Sequence, residues 1–291
     1  MNKKAELVVD EKALLGEGPS WDEQEEVLYW VDIMGKNIHR YNPGKQTNQT
    51  LSAGQEPGAV VVHKNSELIA AMQHGFYLID FDEAVFTPIT DPEEHLSGNR
   101  FNDGKCDPAG RFWAGTMAYD KQKDQAALYC LEADHTVAQK IDNIGISNGL
   151  AWNAEQTSMY YIDTPTLQVS AFDYDVKSGS ISNRRTIITF SGTEGRPDGM
   201  TIDAEGMLWI AHYGGWKVSR WNPGTSECLE EIEVPASQVT SCVFGGRDLK
   251  TLYITTARNS LREEQMQQEP HAGGLFAVDL DVKGTLSDRF G

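Results

Sequence analysis

Residues 198–213 read DGMTIDAEGMLWIAHY, and their plan recurs five more times in the chain. A short apolar run leads into a turn that opens on Asp203 and closes on Gly206, and a second apolar run follows. Aspartate bonds its own backbone and opens turns, while glycine takes the conformations that close them. Outward from this stretch, the matching starts are Glu17 in EGPSWD, Gly58 in GAVVVH, Asn102 in NDGKCD, Asn148 in NGLAWN and Thr240 in TSCVFG. Consecutive starts lie 41 to 50 residues apart. Four residues after each start stands an apolar residue: Trp21, Val62, Cys106, Trp152, Ile202 or Phe244. At the next position four of the six are Asp or Asn, at Asp22, Asp107, Asn153 and Asp203.

A third apolar segment follows in each unit, as in NIHRYNP, ALYCLEA and KVSRWNP. Short strands at regular spacing with turn punctuation indicate an all-β protein, and this period fits a four-stranded blade. The expected architecture is therefore a six-bladed β-propeller with a central channel, one domain over residues 1–291. The strand Ala5–Asp10 precedes the first unit and is expected to complete the last blade, so that no sheet edge is left at the join. Trp113 and Trp209 share one offset and read as blade-packing core.

The chain has 25 Lys and Arg against 43 Asp and Glu, a formal net charge of −18. Such a surface repels phosphates and anionic lipid heads, which argues against nucleic-acid and membrane partners. The opening MNKKAELVVDEK has no apolar core of a leader, and no run of about 18 apolar residues occurs, so a cytoplasmic protein is expected. Cys106, Cys130, Cys228 and Cys242 form no CxxC pair and read as free thiols. A monomer is the default, because a closed ring has no edge to pair.

In a propeller the first strands line the channel, so the six starts converge at one mouth. That ring reads Glu17, Gly58, Asn102, Asn148, Asp198 and Thr240. Carboxylate and amide oxygens suit a hard divalent cation; without one, two such acids close together would repel and one would take up a proton. Glu17 and Asp198 would offset its charge, and Asn148 would add a neutral carbonyl oxygen. His212 follows a second strand and reads as a packed histidine. The polar stretch 119–127 could form a loop over the mouth.

The segments LGEGPSWD, GNRFNDGKCDPAGRFWAGTM, ISNGLAWN, RPDGMTIDAEGMLWIA, TSCVFGG and AGGLFAV resemble the regucalcin/gluconolactonase family, in order from about Leu15 to Val278. The resemblance implies a six-bladed propeller with one divalent metal and hydrolysis of small sugar lactones. It places the metal ligands on Glu17, Asn148 and Asp198 and substrate contacts on Arg100 and Asn102. A further substrate-contacting glutamate of the family falls on Asp120, one methylene shorter, which leaves the preferred sugar open. Calcium heads the expected cations, with zinc, manganese and magnesium as alternatives. Asp198 is the residue expected to orient or deprotonate the attacking water. The same site admits two other readings, a non-catalytic calcium-binding protein and an aryl-ester or organophosphate hydrolase. The polar set Arg100, Asn102 and Asp120 favours sugars.

Overall fold

The computed structural model describes residues 3–120 and 124–291. They form six antiparallel sheets, each built from four consecutive strands except where the ring closes. Blade 1 runs through Gly16–Asp22, Val27–Asp32, Asn37–Asn42 and Thr47–Ser52. The innermost strands of the other blades are Pro57–Val62, Asn99–Cys106, Ser147–Trp152, Arg196–Ile202 and Val239–Gly245. Neighbouring inner strands touch all the way round, and the sixth touches the first. The protein is a six-bladed β-propeller. Its sixth blade takes its outer strand, Glu6–Val9, from the N-terminal end, pairing antiparallel with Leu275–Asp279. Lys3–Lys4 adds a fifth, parallel strand to blade 5.

Burial falls outward along each blade. The strand Gly16–Asp22 is buried throughout, whereas the outer strand Thr47–Ser52 is mostly exposed. The inner strands are buried almost throughout because each sheet is covered on both faces by its neighbours, and Pro57–Val62 reads as an unbroken apolar run. In GAVVVH, Val60 and Val62 pack toward blade 1, while Ala59 and Val61 pack toward blade 3. Six apolar clusters result, one between each pair of adjacent blades. Trp113 and Trp209 lie fully buried in two of them, as expected. Cys106, Cys130 and Cys242 are buried free thiols in this packing, and Cys228 is exposed.

Two features were not expected. The inner strands begin one to three residues before the starts read from the repeat. The C-terminal segment has no counterpart in the repeat at all. It crosses the end of the channel remote from the ring residues. Gly284 bridges to Asp203, Thr285 Oγ1 reaches the Ile202 carbonyl, and Phe290 lies fully buried with its N–H on the Val62 carbonyl. Arg289 pairs with Asp22 at 2.5 Å and Glu23 at 3.2 Å. One short helix, Glu263–Gln268, lies between the second and third strands of blade 6. No helix among the described residues is long and apolar enough to cross a membrane.

Candidate active site

Every inner strand breaks register with its neighbour at the repeat start. The shifts fall at Glu17/Ser20, Pro57/Ala59, Phe101/Asp103, Asn148/Leu150, Pro197/Met200 and Val239/Ser241. A bulge locally re-aims a side chain and is common beside active sites. Six bulges at one level of the ring thus take ladder positions and give them to the channel. Glycine follows the acid or amide at Gly18, Gly149 and Gly199, and at two of these the reason is close approach. A Cβ on Gly149 would meet Met200 Cβ at 2.6 Å, and one on Gly199 would meet Ser241 Oγ at 2.1 Å.

The re-aimed side chains line a cavity of about 400 Å³. Glu17, Arg100, Asn102, Asn148 and Asp198 all face it, so five of the six expected site residues come together. Asp120 is exposed and is not among the lining residues, although its neighbour Tyr119 is. Of the loop 119–127, residues 121–123 lie outside the described residues, so its reading as a cover for the mouth stays an expectation. A larger hollow, of about 860 Å³, lies toward the other end of the inner strands between Trp21, Arg247 and Leu286. None of the ring residues lines it, so the chemistry belongs to the smaller cavity.

A hydrogen-bonded chain runs round the wall. Tyr119 Oη donates to Glu56 Oε2 at 2.8 Å, and Glu56 pairs with Arg100 Nε at 3.3 Å. Arg100 Nη1 donates to Asn102 Oδ1, and Asn102 Nδ2 donates to Asn148 Oδ1 at 3.0 Å. Asn148 Nδ2 donates to Thr164 Oγ1 at 2.7 Å, whose hydroxyl donates to the Pro197 carbonyl beside Asp198. Sequence reading missed Glu56, Tyr119 and Thr164. Glu56 precedes its strand, Tyr119 follows a second strand, and Thr164 sits in the 3-10 turn Thr164–Thr166, so none occupies a repeated position. His212, by contrast, is packed away as expected, with Nε2 2.6 Å from Ser219 Oγ.

Glu17 and Asp198 line the cavity as buried acids, and a third buried carboxyl, Asp103, acts on both from outside its lining. Burial, then Asp198 and Asp103, push Glu17 well above the ordinary carboxylate range, against a hydrogen bond from Gly18 N–H. Burial, then Asp103, push Asp198 up in the same way. Burial raises Asp103 to about 6, with Lys105 opposing. No described side chain donates a hydrogen bond to the carboxylates of Glu17 or Asp198. Two buried acids whose one nearby opposing cation, Arg100, is already paired with Glu56 are unfavourable as ions in a low-dielectric site. A bound divalent cation would remove that conflict, and Asn148 Oδ1 keeps a second lone pair beside the bond from Asn102. The donor set therefore fits a hard cation, as two carboxylates and one amide. Among the described residues no three His, Cys, Asp or Glu side chains gather as a ligand set by themselves.

Residues 15–258 match the family model described as SMP-30/Gluconolactonase/LRE-like region. The chain belongs to that family. It is 44% identical over 280 residues to a protein of Bacillus subtilis (strain 168) provisionally named sugar lactone lactonase YvrE, covering 96% of both chains. It is 39% identical to regucalcin of Xenopus laevis, covering 99% of this chain and 98% of that one. Among solved structures it is similar to a calcium-binding protein, regucalcin, from Agrobacterium tumefaciens str. C58. There the TM-score is 0.96 at 26% identity, over 100% of this chain and 98% of that one.

Proposed function

We propose that the protein is a metal-dependent lactonase that opens small sugar lactones. The observation that carries this is the pair of buried acids, Glu17 and Asp198, set beside the polar wall of Arg100, Asn102 and Asn148 in one cavity. The name carried by the Bacillus subtilis relative supports the lactone, and the calcium-binding description of the Agrobacterium tumefaciens structure supports the cation. Glu17, Asn148 and Asp198 would hold a single divalent ion, calcium before zinc, manganese or magnesium. When bound, it would polarise the lactone carbonyl and lower the pKa of water.

The chain's own groups do the rest. Arg100, held by Glu56, presents its Nη2 donors to the sugar hydroxyls or ring oxygen, and Asn102, whose two amide hydrogens go to the Ser147 carbonyl and Asn148 Oδ1, presents the second lone pair of its Oδ1 to a sugar hydroxyl. Asp120 would meet the sugar at the rim, beside Tyr119. Asp198 receives no hydrogen bond from another described side chain, so its oxygens remain available to orient water and take its proton. Water adds to the carbonyl carbon, the ring C–O bond breaks, and the ring oxygen leaves as a hydroxyl carrying one proton. The other proton is released from the new carboxylic acid at neutral pH.

Acid release from gluconolactone, followed with and without a chelator, tests this. A rate above spontaneous hydrolysis is expected, lost on chelation and restored by added cation. Asp198→Asn is expected to lower kcat by about 100-fold or more, the usual order for a general base. A wild-type rate in that variant contradicts the role of Asp198. No chelator-sensitive rate with any aldonolactone contradicts the lactonase reading and leaves cation binding as the function.

A further inference from the structure

Two guanidinium groups line the cavity, and the structure treats them differently. Arg100 is buried, and Glu56 answers its charge. Arg196 is exposed at the head of the inner strand Arg196–Ile202, two residues before Asp198. It pairs across the sheet with Tyr213, which lines the same cavity. Among the described residues no carboxylate forms an ion pair with Arg196, and no acceptor takes a hydrogen bond from it.

The charges of the site leave Arg196 over. Glu17 and Asp198 balance a divalent cation. Glu56 balances Arg100, and Asp103 lies close enough to Lys105 for each to counter the other. With the cation bound, Arg196 is the one charged residue lining the cavity that is left without a counter-charge among the described residues. It stands on a molecule of formal charge −18, whose field repels anions in general. A planar fork of donors held open toward a cavity matches a phosphate or carboxylate.

We propose that Arg196 is a specificity-determining residue that selects lactones bearing an anionic group, a phosphate ester or a carboxylate, at the end remote from the reacting carbonyl. The proposal rests on the lactonase reading above. Arg196 then holds the anionic tail near the rim of blade 5 while the lactone ring sits deeper, between Arg100, Asn102 and Asp198.

The test compares kcat/KM for 6-phosphogluconolactone and glucarolactone with that for neutral gluconolactone, in wild type, Arg196→Met and Arg196→Lys, at low and high salt. Calorimetric binding of 6-phosphogluconate, glucarate and gluconate to the same proteins supplies a readout independent of turnover. The preference for at least one anionic lactone is expected to fall by about tenfold or more in Arg196→Met, the order of one charge-assisted hydrogen bond. Arg196→Lys is expected to keep part of it, since it keeps the charge and loses the fork. Added salt is expected to erode the wild-type preference. The phosphate and carboxylate arms tell which anion is taken. Ratios and acid affinities in Arg196→Met within about twofold of wild type would overturn the proposal, since one charged hydrogen bond exceeds that. If no lactone is opened above its spontaneous rate, the lactonase reading fails. The binding arm then still decides for Arg196: weaker anion binding in Arg196→Met supports it, and equal binding overturns it.

Discussion

At Asn148 one amide is engaged on both sides, taking a bond from Asn102 Nδ2 and giving one to Thr164 Oγ1. The second bond decides which end of the amide faces the ring: Thr164, tied to the Pro197 carbonyl, takes the N–H and leaves the oxygen toward the acids. Thr164→Val removes that acceptor and leaves a buried N–H unpaired. Calcium affinity in a calorimetric titration is expected to weaken by about 10- to 100-fold, as for other groups that orient metal ligands. Unchanged affinity in a folded variant contradicts this role. Glu17, Asn148 and Asp198 were legible in the chain because each opens a repeat and each precedes a glycine. Thr164, Glu56 and Arg196 were not, since they act from turns and strand heads, where the units diverge. Their roles depend on which loop folds over which mouth, and no periodicity carries that.

Within a blade, the aspartate five residues after the start does more than open a turn. Asp107 Oδ1 accepts the N–H groups of Ala109 and Arg111, the turn role read from the sequence. Its Oδ2, fully buried, also accepts Trp113 Nε1 at 2.8 Å, Arg111 Nε at 2.7 Å and Tyr174 Oη at 2.7 Å. Asp203 repeats the arrangement with Trp209 Nε1 and Arg220 Nε. The aspartate thus joins first strand, turn and second strand, and in blade 3 it reaches Tyr174 of the next blade. Asp107→Ala leaves Arg111 Nε and the Trp113 indole N–H buried without their acceptor and removes the one carboxylate paired with that guanidinium, whose Nη groups keep Tyr174, Val176 and Lys177. The expected cost is about 3–5 kcal/mol, the usual penalty for stripping one partner from a buried ion pair. A urea midpoint shifted by less than about 1 kcal/mol, the scale of an exposed pair, contradicts it. The tryptophans were legible as core from their shared offset. The link between acid and indole was not, because the spacing of Asp107 and Trp113 has meaning only after the turn has folded back.

Across the whole molecule, the period, the six blades and the N-terminal strand that closes them were legible, since each unit repeats one burial problem. The C-terminal cover was not, because it occurs once and reaches blades 1, 2, 3, 5 and 6 through Asp22, Val62, Gly110, Ala204 and Leu249. Two histidines buried in separate blades add a pH dependence to the stability of the ring. His39 stacks on Trp30 at 4.1 Å, and burial lowers it to about 4, with Asp32 opposing. Burial, then Lys217, lowers His212 to about 4, against Glu194 and Glu231. Between about pH 6.5 and 4 the unfolded chain binds these protons and the folded one does not, so stability falls as pH falls through that window. His212→Gln is expected to make the drop in urea midpoint from pH 7 to 4.5 shallower by on the order of 2 kcal/mol. An equally steep drop contradicts neutral burial. Under the proposed function, the ring would bring Glu17, Asn148 and Asp198 from blades 1, 4 and 5 onto one ion. A crystal structure of the protein grown with calcium measures that directly. One ion is expected on the channel axis, about 2.3–2.6 Å from an oxygen of each of the three side chains. Calcium bound elsewhere, or density at the axis that contacts fewer than two of them, contradicts it.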